Sequence, residues 1–244
     1  NKGGVLFCDF DNDGDFDIFW TDNGVNEIFL QTGVNSGTFA ASGEPTTSSG
    51  VAPSGNIDGC SCGDVDNDGD MDLFLGANSG TSFLYINDGG MSFTRNNNGI
   101  NANGNTEGHS FGDYDNDGDL DLYINVSGTQ NQLWRNSTND SNYLKVYVKR
   151  DLGGGIYRDD LGATAVLKDC DGNVVSGIRQ VSSVKGHGSN NPAVIHFGVP
   201  SKDSTYTVEV RFTAIAGTRL VIDTALVPER MTNHTITVTS PTPA

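Results

Sequence analysis

Apolar and polar positions alternate in short runs along the 244-residue chain, and no segment carries a convincing helical period. The first half repeats itself. An apolar run (Ile18 to Trp20, Leu73 to Leu75, Leu122 to Ile124) is followed by a polar turn and a second run. That second run is Ile28-Phe29-Leu30, then Leu84-Tyr85-Ile86, then Leu133-Trp134-Arg135. Two copies add a short fourth strand, Thr38-Phe39-Ala40 and Ser92-Phe93-Thr94, and the third copy lacks it. Gly/Ser/Asn-rich segments at 41–57 and 95–108 read as loops. Four short strands returning every 49–55 residues predict β-propeller blades.

At Asn142 the pattern lengthens. Alternating runs cover Tyr143 to Val148, Gly162 to Lys168, Val174 to Val181, Ala193 to Val199 and Tyr206 to Phe212. Turn residues stand between them (Asp171-Gly172-Asn173, Ala216-Gly217), the signature of an antiparallel β-sandwich. The expected fold is therefore all-β: three propeller blades over residues 1–141 and a C-terminal antiparallel β-sandwich over 142–244.

Each repeat begins with the same acidic loop, D-x-D-x-D-G-x-x-D. The loops hold Asp9, Asp11, Asp13, Asp15 and Asp17, then Asp64, Asp66, Asp68, Asp70 and Asp72, then Asp113, Asp115, Asp117, Asp119 and Asp121. These account for fifteen of the 31 acidic residues, in a chain whose formal charge is −17. Carboxylates so crowded repel one another unless a cation lies among them. Calcium takes about six to eight oxygens in flexible geometry. Alternate side chains of a tight loop supply them from positions 1, 3, 5 and 9, and Gly at position 6 lets the turn bring the position-7 carbonyl round. Asp15, Asp70 and Asp119 are expected to act through that carbonyl. Magnesium prefers near-ideal octahedral geometry, and the imidazole and thiolate ligands favoured by zinc and copper are missing from the loops. Three calcium sites are the expectation. The loops differ from an EF-hand, because position 12 is Trp20, Leu75 or Ile124 and strands flank them.

With these residues in view, the repeats resemble FG-GAP blades of the integrin α type, also described as VCBS-like. Residues 142–238 resemble the ASPIC/UnbV domain, through Asn142-Tyr143-Leu144-Lys145-Val146, Asp160-Leu161-Gly162-Ala163, Gly186-His187-Gly188 and His196-Phe197-Gly198. The resemblance, shared with cartilage acidic protein relatives and bacterial secreted proteins, implies a calcium-binding propeller that presents surfaces to partners and carries no catalytic activity. Family propellers have more blades than the three found here, and about four to eight are needed to close a ring. The chain is thus expected either to be a piece of a longer propeller or to be completed by neighbouring chains.

The acidic surface repels nucleic acid and anionic membranes, and no run of about 18 apolar residues could span a bilayer. Cys8, Cys60, Cys62 and Cys170 lack zinc spacing, and Cys8 is expected to bridge to Cys60 or Cys62. Sequons at Asn125, Asn136, Asn139 and Asn233 give weak support for secretion and glycosylation. His109 and His196 read as packing residues, His187 and His234 carry no assignable chemistry, and Asp169 to Asn173 reads as a hairpin turn. Phe29, Tyr85 and Trp134 share one strand position and read as packing between blades. No nucleophile setting is present, so no enzyme is expected. The expected function is an extracellular, calcium-stabilised structural or adhesive protein that contacts a protein partner or copies of itself, extending to a filament. The alternative is a calcium-dependent carbohydrate-binding module acting on glycans.

Overall fold

A computed structural model describes residues 4–21, 26–33, 36–41, 56–96, 100, 102–138, 140–182, 191–213, 221–226 and 235–240, with backbone alone for 41 and 221–226. The fold is all-β, a propeller-like arrangement of small sheets with no helix among the described residues. Gly186-His187-Gly188, the sequons at Asn139 and Asn233, His234 and the Ala216-Gly217 turn lie outside those residues.

Sheet I joins β1 (Val5–Cys8), β2 (Asp17–Thr21), β3 (Asn26–Gln31) and β4 (Phe39–Ala41) in sequence order. Sheet II does the same with β5 (Ile57–Gly63), β6 (Asp72–Ala77), β7 (Phe83–Asn87) and β8 (Phe93–Asn96). Sheet III has β9 (Asn105–Gly112), β10 (Asp121–Ser127) and β11 (Gln132–Trp134). β9 takes Asn105 to Gly108 out of the segment expected to be loop. Its first residues pair with Val126 and Ser127 beyond a bulge, and Thr106 is buried there.

Strand side chains alternate between faces, and sheet II uses both. Cys60, Cys62, Leu73, Leu75 and Tyr85 join Leu6, Cys8, Phe10, Phe19 and Ile28 of sheet I in one cluster. Phe74, Leu84 and Ile86 join Phe111, Leu122, Ile124 and Val126 of sheet III in another. Each fully buried Leu, Ile or Phe contributes about 1.5–3 kcal/mol, so these faces, more than strand propensity, hold the sheets together. Cys8 and Cys62 form a disulfide between sheets I and II, leaving Cys60 buried and free.

The C-terminal residues form two more sheets. Sheet IV contains β12 (Tyr143–Asp151), β13 (Tyr157–Asp159), β16 (Ile195–Gly198) and β19 (Thr235–Thr239). Sheet V is β14 (Thr164–Lys168), β15 (Val174–Gln180), β17 (Tyr206–Arg211) and β18 (Val221–Leu226). Leu144, Val146 and Phe197 of sheet IV share one cluster with Ala165, Leu167, Val208 and Val210 of sheet V. The expectation of purely antiparallel pairing fails at β19, which runs parallel to β12 from Lys145↔Thr235 to Lys149↔Thr239. β19 follows a strand of the other sheet, and a crossover of this kind delivers a strand in parallel orientation where a hairpin cannot. Asp169 to Asn173 is the hairpin turn between β14 and β15, closed by Asp169 and Asn173 backbone groups.

Candidate metal centres

Each acidic loop sits between the first and second strands of its sheet. At positions 4 and 6 the chain turns through left-handed backbone: Asn12, Asn67 and Asn116 at φ 58°, 61° and 62°, and Gly14, Gly69 and Gly118 at 95°, 101° and 101°. Asn tolerates that conformation and Gly adopts it freely, which explains the repeated N-D-G. Gly118 has a second reason, since a Cβ there would overlap the Tyr143 ring.

The position-1 carboxylates repeat one arrangement three times. Oδ2 of Asp9, Asp64 and Asp113 accepts the N–H of Gly14, Gly69 and Gly118, each at 3.1 Å. Each Oδ2 takes one more donor. Each Oδ1 is buried with no hydrogen-bond partner. A buried carboxylate oxygen left unpaired is costly unless a cation meets it. Carboxylate oxygens of Asp9, Asp11 and Asp13 lie within 4.8 Å of one another, as do those of Asp64, Asp66 and Asp72, and of Asp113, Asp115 and Asp121. Asp66 Oδ1 is buried and unpaired as well. All donors are oxygens, so the clusters fit a hard divalent cation such as calcium. Calcium would neutralise the clustered charge and tie the loop's two ends together.

The position-9 carboxylates are fixed more firmly than the sequence suggests. Asp17 accepts the N–H of Phe10 and Gln31, Asp72 those of Val65 and Asn87, and Asp121 those of Tyr114 and Asn136. One side chain thus ties the loop's start to the third strand while keeping lone pairs for a metal. Position 5 (Asp13, Asp68, Asp117) accepts the N–H of position 7. Burial raises the metal-free carboxyls: Asp9 and Asp66 to about 6, Asp17 and Asp64 to about 7, with Asp72 and Asp121 also raised.

Position 7 was expected to contribute only its carbonyl, yet its side chain links neighbouring sheets. Asn12 Nδ2 donates to Asp70 Oδ1, and Asn67 Nδ2 donates to Asp119 Oδ1 at 3.0 Å. A second clasp runs the other way. Asn87 Nδ2 donates to the Phe10 carbonyl at 2.9 Å, and Asn136 Nδ2 donates to the Val65 carbonyl. Asn12, Asn67, Asn87 and Asn136 were missed as site residues, although Asn at position 4 in all three loops was a visible signal. Asn136 also begins a sequon, and a glycan on its Nδ2 would break this clasp. Asn125, on β10, is the exposed sequon among the described residues.

The C-terminal sheets provide the extra donor to each position-1 Oδ2. Ile178 N–H reaches Asp9 at 2.7 Å, Gly198 N–H reaches Asp64 at 2.8 Å, and Lys145 Nζ reaches Asp113 at 2.6 Å. Gly177 and Gly198 allow this approach, because a Cβ at either would collide with Asp9 or Asp64. Arg179, buried between loops one and two, donates to the Gly69 carbonyl and to Ser176 Oγ, each at 2.9 Å. His196 Nε2 donates to the Gly118 carbonyl at 2.8 Å, and its ring stacks on Tyr143. His109 is buried between sheets II and III, against Phe74 and Ser61 Oγ. Burial lowers both imidazoles to about 4.

Loop three differs from the other two. Arg135 pairs with Asp115 at 2.6 Å and Asp117 at 2.9 Å, while Lys145 holds Asp113. Two cations there engage three candidate ligands.

A family model for FG-GAP-like repeats matches residues 9–75 and again 64–124, each match beginning at a position-1 Asp. The chain carries FG-GAP-like repeats. No curated protein matches it in sequence. The overlapping matches join one acidic loop to the next, so the repeats include both the loops and the strands between them.

Proposed function

We propose that this chain is an extracellular structural or adhesive module, stapled by three calcium ions, which acts through contact with a protein partner or with copies of itself. In this reading sheets I to III are propeller blades. Sheets IV and V form an ASPIC/UnbV-like β-sandwich seated on their loop face. The observation that carries the proposal is the buried, unpaired Oδ1 at Asp9, Asp64 and Asp113, repeated in three loops with the opposite oxygen already tethered. Such a set is poised for three cations and makes the loop face a joint between the two parts of the chain. FG-GAP repeats are typical of extracellular and surface proteins, and calcium modules there work at about 10⁻⁴–10⁻³ M calcium.

Catalysis is not part of this reading. A cavity of about 160 Å³ between loops and C-terminal sheets is lined by Asp64, Asp113, Lys145, Arg179 and His196. Lys145 already holds Asp113, Arg179 and His196 hold loop carbonyls, and Asp64 accepts the Gly198 N–H.

Melting curves in calcium and in EDTA, run beside a glycan array in the same two buffers, test the proposal. It expects a melt raised by calcium and no calcium-dependent glycan signal. Specific calcium-dependent glycan binding would replace it with the carbohydrate-binding reading. A melt indifferent to EDTA would remove calcium from the account.

A further inference from the structure

Sheet II shows what each face of a repeat sheet meets. Cys60, Cys62, Leu73, Leu75 and Tyr85 pack on sheet I, and Val65, Phe74, Leu84 and Ile86 pack toward sheet III. Register carries the two sets to the outer sheets through the pairs Ile18↔Phe29, Leu73↔Tyr85 and Leu122↔Trp134. On sheet I, the first set becomes Val5, Phe7, Ile18, Trp20 and Phe29. Val5, Phe7 and Trp20 are 48%, 54% and 39% exposed. On sheet III the second set becomes Tyr114, Tyr123, Leu133 and Arg135, the first three exposed by 53%, 44% and 51% and the last paired with Asp115 and Asp117 at the edge of the patch. Residues that fill the two internal junctions thus lie open at the two ends, on opposite kinds of face.

The polar clasps follow the same rule. Asn116, at position 4 of the third loop, is exposed and corresponds to Asn12 and Asn67, which reach position 7 of the next sheet. Gln31 takes the place of Asn87 and Asn136, its N–H bound to Asp17 as theirs are to Asp72 and Asp121. Its amide is therefore placed to meet a position-2 carbonyl, and Tyr114 supplies that group on sheet III.

We propose that sheet III of one copy docks on sheet I of a second copy, continuing the I–II and II–III junctions across the chain boundary. The contact is head-to-tail, so it adds copies until a ring closes or a filament grows. It places Tyr114, Tyr123 and Leu133 against Phe7, Trp20 and Phe29. The partner is a copy of this chain because the junctions within the chain already show the complement of each face, and the chain carries both complements. This rests on reading the chain as a protein-contact module and names its partner.

Sedimentation equilibrium of the full chain in calcium, with Trp20→Glu on one face and Leu133→Glu on the other, tests it. Wild type should show a weight-average mass that rises with concentration to at least twice the 25.8 kDa monomer. Each variant alone should stop at the monomer, because its remaining good face has no complement. An equimolar mixture should stop at a dimer, formed by the intact sheet III face of Trp20→Glu and the intact sheet I face of Leu133→Glu. Trp20→Ser and Leu133→Ser serve in place of any variant whose circular dichroism shows misfolding. A monomer at all concentrations, a dimer from one variant alone, or a mixture that stays monomeric would overturn the proposal. Calcium titration of the same samples separates the two failures: intact binding without association sinks the docking alone, and lost binding sinks the calcium reading beneath it.

Discussion

The backbone N–H of Gly198 lies 2.8 Å from Asp64 Oδ2, although 134 residues separate them in sequence. Ile178 and Asp9 repeat the relationship at 2.7 Å. The C-terminal sheets thus reach two acidic loops through main-chain donors, which need close approach and tolerate no side chain beside them.

Gly198→Ala should therefore cost about 1–3 kcal/mol of stability, the range for overpacking a close contact, because its Cβ would overlap Asp64 Oδ2 and Asn67. Calcium affinity should fall at the second loop and hold at the third. Calorimetric melting with calcium titration reads both effects, and a neutral melt would show that the sheets do not seat on the loop.

Asn87→Leu removes a side chain of similar size whose amide reaches the Phe10 and Met71 carbonyls in a buried site. Leaving those carbonyls without a donor should cost about 1–3 kcal/mol. Hydrogen exchange should quicken in sheets I and II together, since the clasp joins them. Loss confined to sheet II would assign Asn87 a local role only.

Loop three should bind calcium most weakly, because Arg135 occupies Asp115 and Asp117 and sits more than half exposed. Arg135→Gln should strengthen that site several-fold and leave the other two unchanged. A site-resolved titration by NMR of the loop amides checks this, and weaker binding in the variant would contradict it.

Acid should act in opposite directions with and without metal. Metal-free, Asp9, Asp17, Asp64 and Asp66 hold their protons to about pH 6 or 7 when folded, against 3.8 as the ordinary value. The folded state then binds more protons than the unfolded between those limits, so stability in EDTA falls as pH rises from about 4 through 7. With calcium bound the carboxylates are ionised, and protons must displace the metal, so stability falls as pH drops through the same window. Melting temperatures at pH 5 and 7.5 in each buffer should show slopes of opposite sign, and parallel slopes would refute the linkage.

The acidic loops were legible in sequence because D-x-D-x-D-G-x-x-D recurs three times intact, with Asn and Gly at the two positions whose backbone is left-handed. The strands around them were legible because two faces of sheet II are apolar and polar turns punctuate the runs. What stayed hidden was relational. Nothing near Ile178 or Gly198 marks their N–H groups as partners of Asp9 and Asp64, and the glycines at 177 and 198 are the only local trace. The parallel pairing of β19 with β12 depends on a crossover that alternation does not encode. Asn at position 4 was visible in every loop, but its partner lies in the next repeat, beyond any local pattern.

The account turns on calcium, and titration of EDTA-stripped protein by isothermal calorimetry, with native mass measurement of the product, tests it most directly. Three calcium ions per chain should bind, one for each buried Asp9, Asp64 and Asp113 Oδ1. Asp9→Asn, Asp64→Asn and Asp113→Asn should each lose one ion and keep two. No binding heat at millimolar calcium, or a stoichiometry that these substitutions leave unchanged, would contradict it.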